Sequence, residues 1–262
     1  MLDQLPDLEP WRWLLAGLAA LLIGFAKSGV PGAGILFVPL MVSVFGARLS
    51  VGATLPLLLL GDLLAVLIYR AHADVPTLRR LAPWVGGGLG LGAGVLWGQG
   101  RAPAGGEWLG PLIGTVILAL LGLTLLQRRG ALTWRPHSPA SVASVGTLTG
   151  LTTMVANAAG PITGLYLSAL GQSARTLVGT SAWLYLLINL CKGTLLLILS
   201  LDTSAPPLFT AASLWANLAL APLVVVGALL GRAALPRLRE ETFTTLLLVL
   251  AGVAAVKLLF PG

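Results

Sequence analysis

The chain has 262 residues, of which 56% are hydrophobic and only 10% charged, with a mean hydropathy of +0.93. That leaves too little polar sequence to clothe a soluble domain of this size, so composition points to an all-α integral membrane protein forming one domain over residues 1–262. A formal charge of +7 would suggest nucleic acid in a soluble protein. Here the basic residues sit in connectors beside apolar runs, where membrane orientation accounts for them, so lipid is the expected surrounding and nucleic acid is not a partner.

Residues 1–10 carry Asp3, Asp7 and Glu9, whereas a signal peptide begins with a positive region, so the N-terminus is expected to be retained. The lone cysteine, Cys191, lies in an apolar run; it cannot form an intramolecular disulfide and reads as a packing residue. Apolar runs bounded by charged, Gly or Pro clusters give ten membrane segments. They cover Trp11 to Ala26, Ala33 to Phe45, Ser50 to Tyr69, Leu81 to Gln99, Leu109 to Gln127, Ala140 to Leu151, Ala158 to Leu170, Leu177 to Ser200, Ala212 to Gly231 and Phe243 to Phe260. A full helical span needs about 20 apolar residues, so the first, second, sixth and seventh are short.

A duplication is visible. Ala47-Arg48-Leu49-Ser50-Val51-Gly52-Ala53-Thr54 matches Ala174-Arg175-Thr176-Leu177-Val178-Gly179-Thr180-Ser181 at an offset of 127 residues, and the same offset pairs Asp62 with Asn189. Repeat one is expected at about 11–127 and repeat two at about 138–260. Each half makes an odd number of crossings, whether its short segments cross fully or are re-entrant, so the halves are expected to be inverted repeats. With the N-terminus outside, the inside connectors hold Arg70, Arg79, Arg80, Arg128, Arg129, Arg135, Arg175, Arg232, Arg237 and Arg239, and the outside ones hold Arg12, Arg48 and Arg101. That asymmetry places both termini outside.

The four short segments flank two polar, Gly/Pro-interrupted breaks, Lys27 to Gly34 and Thr152 to Pro161. Irregular backbone at membrane depth persists only where it is buried in protein or lines a watery cavity, so these breaks are candidate site walls with their broken helices at the midplane. In the first, Lys27, Ser28, Gly29 and Gly32 offer an ammonium and freed N–H groups ahead of a restarting helix, an anion cradle. The bland alternative is a lysine snorkelling to the headgroups. In the second, Asn157, Ala158, Gly160 and Pro161 start another helix, with Asn157 as its N-cap under the bland reading.

Further candidates are Thr54 and the face of the eighth segment bearing Thr180, Ser181, Asn189 and Lys192. Asp62 is the acid deep inside an apolar run and is expected to pair with Lys27 or Lys192, serving either as a structural ion pair or in coupling a proton or other ion. Gly86, Gly90, Gly94 and Gly98, with Gly88 and Gly92 on a neighbouring stripe, would let another helix approach at backbone distance. Trp11, Trp13, Trp84, Trp108 and Trp134 sit near segment ends, whereas Trp97, Trp183 and Trp215 lie deeper and pack or line the path. His72 and His137 stand in basic connectors and read as solvated. No metal or cofactor cluster, nucleophile elbow or nucleotide loop is present, so no enzyme is expected.

Taken together, Gly24-Phe25-Ala26-Lys27-Ser28-Gly29, Leu55-Pro56-Leu57-Leu58-Leu59-Leu60-Gly61-Asp62, Tyr69-Arg70-Ala71-His72-Ala73-Asp74, Asn157-Ala158-Ala159-Gly160-Pro161 and Val178-Gly179-Thr180-Ser181-Ala182-Trp183 resemble the TauE/SafE family of sulfite and organosulfur anion transporters. The resemblance spans nearly the whole chain. It implies a bacterial inner-membrane permease for sulfite, sulfoacetate, thiosulfate or a related small anion, working in export. The reading that follows is a secondary transporter with a midplane anion site, able to form oligomers. The alternatives are an anion channel with continuous access from both sides, a permease for another small organic anion, or a structural subunit.

Overall fold

The computed structural model describes residues 6–29, 33–102, 108–129, 136–235 and 240–260, and among them it is built of helices without strands. The first half of the chain forms α1 (Pro10–Ser28), a 3₁₀ turn (Ala33–Leu36), α2 (Phe37–Phe45), α3 (Ala47–Ala53), α4 (Leu55–Tyr69), a second 3₁₀ turn (Arg70–His72), α5 (Val75–Gly100) and α6 (Leu109–Arg128). The second half forms α7 (Pro139–Ala156), α8 (Gly160–Ala169), α9 (Ala174–Leu199), α10 (Ala211–Ala234) and α11 (Glu240–Leu259). Among the described residues, five stretches are long and apolar enough to cross a membrane: Pro10–Ser28, Ala47–His72, Leu109–Gln127, Ala174–Leu199 and Ala211–Ala234.

Local chemistry sets the boundaries. Prolines open α1, α4, α5, α7 and α8 in the first turn, where a missing N–H costs nothing. Asp74, Ser138, Ser173 and Thr210 cap α5, α7, α9 and α10 with side-chain oxygens. Gly46, at φ 79°, ends α2 and sends its N–H back to the Val42 carbonyl, a backbone geometry that glycine adopts without a Cβ penalty.

Several expected boundaries shift. The break expected from Thr152 shrinks to Asn157–Ala159, because α7 runs on to Ala156. Thr152 returns its hydroxyl to the Leu148 carbonyl at 2.7 Å, so its polar atom is satisfied inside the helix. The single segment expected from Ser50 is divided at Thr54, ahead of the N–H missing at Pro56. With 9 and 10 residues, α2 and α8 reach only about 15 Å at 1.5 Å per residue, half the hydrocarbon thickness.

The packing is reciprocal between the halves. Helix α1 lies on α10, and α7 lies on α5. A Cβ on Gly24 would stand 2.0 Å from the Val224 carbonyl oxygen, and one on Gly150 would stand 2.2 Å from that of Val85. A Cβ on Gly227 would meet the Leu21 oxygen, and one on Gly88 the Thr147 oxygen, both at 2.1 Å. These contacts rest on a second repeat line, Ala82-Pro83-x-Val85-x-x-Gly88-x-x-x-Gly92 and Ala221-Pro222-x-Val224-x-x-Gly227-x-x-x-Gly231, which the 127-residue offset does not align. Helices α4 and α9 run antiparallel: Tyr69 lies beside Gly179, Asp62 beside Asn189 and Leu55 beside Gly193. Helices α6 and α11 are antiparallel too, with Gly114 beside Ala255 and Leu121 beside Gly252.

The glycine stripe is therefore used on one side only. Gly88 and Gly92 meet α7, whereas Gly86, Gly90, Gly94 and Gly98 have open space within 4 Å, contrary to the expectation that they receive a helix. Cys191 is exposed rather than packed in the interior, and lines an apolar groove between α5 and α9 with Val85, Leu89 and Leu187. Arg48 is buried, not a free connector charge. Its guanidinium donates to the carbonyls of Pro206 (2.7 Å) and Leu96 (2.8 Å) and to Gln99 (2.7 Å). Trp134, Arg135, Arg237 and Arg239, used in the sequence reading, lie outside the described residues, as does the Arg128 side chain.

Gly24→Ala and Gly88→Ala should each lower the stability of the detergent-purified protein by about 1–3 kcal/mol, since a methyl there must displace backbone. Gly94→Ala, on the open stripe, should be neutral or stabilising by up to about 1 kcal/mol. Thermal unfolding of the three variants side by side checks this. Equal losses at all three would contradict the packing.

Candidate functional site

Lys27 occupies the last turn of α1, where a cation suits the helix's negative end. From there its ammonium reaches across to α4 and forms an ion pair with Asp62, Nζ to Oδ1 at 2.6 Å. Asn189 of α9 donates its amide to the other carboxylate oxygen, Oδ2, at 2.6 Å. The ring of Tyr185, one turn before Asn189, faces the same ammonium with its centroid 4.2 Å from Nζ. Asp62 is fully buried and Lys27 retains 13% side-chain exposure. The exposure matters because it opens onto a cavity.

That cavity measures about 60 Å³ and is lined by both restarting helices: Gly34 and Ile35 from the first 3₁₀ turn, and Ala158, Ala159, Gly160 and Pro161 at the start of α8. Lys27, Thr153, Asn157, Ser181, Tyr185 and Asn189 complete the polar wall. The N-cap of α8 is Ala159, which supplies no side-chain acceptor, so first-turn N–H groups are left for another partner. The hydroxyls of Ser181 and Thr153 and the Asn189 amide oxygen are buried without a hydrogen-bond partner among the described residues. Such a wall can bind an oxyanion through one ammonium, helix N–H groups and hydroxyls.

Behind the wall, Lys192 is fully buried. Its ammonium donates to the Thr153 carbonyl at 2.7 Å and to Asn157 Oδ1 at 2.5 Å. Asn157 sits at φ 54° as the C-cap of α7 rather than the N-cap of α8, a left-handed position that asparagine tolerates. Its amide nitrogen donates to the Val51 carbonyl at 3.3 Å. Asn217 of α10 donates to the neighbouring Ala53 carbonyl at 2.8 Å. Lys192 and Asn157 thus brace the second break against α9 and α3, and Asn157 meets the cavity with both ends of its amide already engaged.

Other expected site residues are placed elsewhere. Ser28 is fully buried, and its carbonyl accepts the Tyr69 hydroxyl at 3.0 Å. A Cβ on Gly29 would lie 2.5 Å from the Gly231 carbonyl, so this glycine serves helix packing and not an anion cradle. Gly32, with Val30 and Pro31, lies outside the described residues. Thr54 turns its hydroxyl to the Ser50 carbonyl at 2.6 Å, and the Thr180 hydroxyl accepts the Asp74 N–H at 3.0 Å. Neither lines the cavity, because each hydroxyl satisfies backbone at a helix junction. Trp97, Trp183 and Trp215 are likewise not among its lining residues. Tyr185 was missed, although Ser181, Tyr185, Asn189 and Lys192 share a helical stripe at spacings of four, four and three.

Asn157→Gly keeps the left-handed backbone but strips Lys192 of an acceptor, and should cost about 1.5–3 kcal/mol of stability. In a Lys192→Met background the same substitution should cost less than half as much, because no buried ammonium is left short of a partner. Chemical or thermal unfolding of the four proteins measures the coupling. Additive losses would show that the strut carries no energy.

No curated protein and no solved structure matches the chain. The family model described as Sulfite exporter TauE/SafE matches residues 16–258, from the middle of α1 to the end of α11. The matched span contains both breaks, the Lys27–Asp62–Asn189 cluster and the Lys192 strut. With nearly all of its length covered, and with both halves of its site inside the match, the chain is a member of the TauE/SafE sulfite exporter family of membrane transporters.

Proposed function

We propose that this protein is a secondary transporter of a small sulfur-containing oxyanion, sulfite or an organosulfonate such as sulfoacetate, exporting it across the bacterial inner membrane. The observation that carries the reading is Lys27, the only ammonium or guanidinium lining the central cavity among the described residues, set opposite the uncapped start of α8. An ammonium, helix N–H groups and the unpartnered Ser181 hydroxyl are the donors a sulfonate or sulfite group needs once its water is removed. Among the described residues, none that lines the cavity is a carboxylate.

The two halves act as inverted repeats around this site. Helices α4 and α9, which carry the offset-matched Asp62 and Asn189, pack antiparallel, as do α6 and α11 in the fifth position of each half, and this antiparallel pairing supports that relation. The arginine distribution supports termini on the outer side. The short helices α2 and α8 both begin at the cavity and are the elements on which one half can rock against the other in alternating access.

Thermal-shift measurements on the purified protein with sulfite, thiosulfate, sulfate, sulfoacetate, taurine and chloride should show stabilisation by one or more of the oxyanions and none by taurine or chloride. No shift with any of them would sink the reading. For the anion that binds, Lys27→Ala should weaken affinity roughly tenfold to a hundredfold, the worth of one charge-assisted hydrogen bond. A dianion should lose more than a monoanion of similar shape, since the ionic attraction scales with ligand charge. Calorimetry would decide it, and an unchanged dissociation constant would remove Lys27 from the site.

A further inference from the structure

The anion reading places a bound oxyanion beside an ammonium that is already taken. Lys27 is paired with Asp62 at 2.6 Å, and Asp62 is fully buried with Asn189 as its other neighbour. When an anion enters the cavity, the single positive charge of Lys27 stands between two negative ones inside a low-dielectric region, and one of the three charges is left unbalanced. We propose that Asp62 takes up one proton as the anion binds, so that Lys27 passes from the carboxylate to the substrate and proton and anion cross the membrane together. This inference rests on the anion reading and adds the coupling to it.

Asn189 is the residue that makes the exchange feasible. Its Nδ2 holds Asp62 Oδ2, while its Oδ1 is buried and has no hydrogen-bond partner among the described residues. Once Lys27 leaves Oδ1 of Asp62, a proton on that oxygen can be donated to Asn189 Oδ1. Acid and amide then form a closed pair of hydrogen bonds, one in each direction. The amide therefore serves the carboxylate in one state and the carboxylic acid in the other, with no buried polar atom stranded in the second. In that step the Asp62 O–H bond forms as an O–H bond of a hydronium ion from bulk solvent breaks, leaving water, and no other covalent bond changes.

Asp62 is the carboxyl group that faces both Lys27 and the Asn189 amide. Helix α1 brings Lys27 to it, and α9 brings Asn189 and the Tyr185 ring. Lys192, one turn further along α9, is turned away toward Thr153 and Asn157. Arg232 of α10 and Arg175 at the start of α9 act near Tyr69, at the far end of α4. Arg48 of α3 is bonded to the α5 terminus and to Pro206, and Arg70 and His72 are exposed. The duplication points the same way: Asp62 and Asn189 are equivalents in the two halves, separated by 127 residues, and the pairing of one acid with one amide holds a single proton. Lys27 and Lys192 fall opposite Met154 and Ala65 at the same offset, so neither ammonium has a twin.

Thiosulfate and methanesulfonate suit the test because neither titrates between pH 5 and 9. Calorimetry on the purified wild-type protein, in two buffers of different ionisation enthalpy, gives the protons taken up per anion bound. The expected value is close to one, with affinity falling about tenfold per pH unit above the titration of Asp62. Asp62→Asn should abolish the uptake and flatten the pH dependence, and in proteoliposomes it should dissipate the acidification that accompanies anion flux. Binding by the wild-type protein without proton uptake, or a variant that keeps the full pH slope, overturns the coupling while leaving the anion site standing. Absence of binding by every anion in the thermal-shift series overturns both. A coupled carrier of this kind runs outward only while the anion's own gradient exceeds the opposing proton gradient.

Discussion

A polar group that this protein holds at membrane depth has to be satisfied within the protein or at a watery cavity, because lipid offers no partner. The Lys27–Asp62–Asn189 cluster is where that constraint is tightest. An exposed pair of the same kind would contribute little. Inside the bundle, removal of either charged partner strands the other, and such losses reach several kcal/mol. The cluster therefore ties three helices, α1, α4 and α9, to one geometry. The same rule explains the amides placed at the divided helix α3–α4, where Asn157 and Asn217 take up the carbonyls of Val51 and Ala53. It also explains why Lys192 can be fully buried: two oxygens of the second break receive its ammonium.

Around that cluster the two halves are held by backbone contact. Four glycines, Gly24 and Gly150 on one side and Gly88 and Gly227 on the other, let α1 meet α10 and α7 meet α5 with no side chain between them. Close approach of this sort replaces the hydrophobic driving force that lipid cannot supply between helices. The pairs are reciprocal, so each half grips the other in the same way. Asp62 and Asn189, matched at the 127-residue offset, touch between α4 and α9 as an acid against an amide.

The mobile consequence follows from the same division. The long helices are locked by glycine contacts and by the Arg48 bonds to Pro206, Leu96 and Gln99. The short helices α2 and α8 reach only partway across the bilayer, and both begin at the cavity. Rigid arms around a polar pocket, with half-length helices beginning at it, are the arrangement on which the proposed alternating access rests.

The sequence by itself determined the membrane setting, the two polar breaks and the duplication, since each is written in composition or in matching residues at fixed spacing. It also placed Lys27, Ser181 and Asn189 among the candidates, because a polar residue inside an apolar run has few structural excuses. It overestimated Gly29, Thr54 and Thr180, whose polar or small character serves a neighbouring backbone that sequence distance conceals. It could not separate the working glycine stripe of Gly88 and Gly92 from the open one beside it, as both faces of α5 carry the same residue. Nor could it choose between Lys27 and Lys192 as the partner of Asp62. That choice was made only by tertiary structure, which brings α1 and α4 together at this depth and turns Lys192 along α9 toward the carbonyl end of α7. A buried charge is satisfied by whichever partner the packing of backbones brings within about 3 Å, and that distance is a property of the assembled helices, not of their order along the chain.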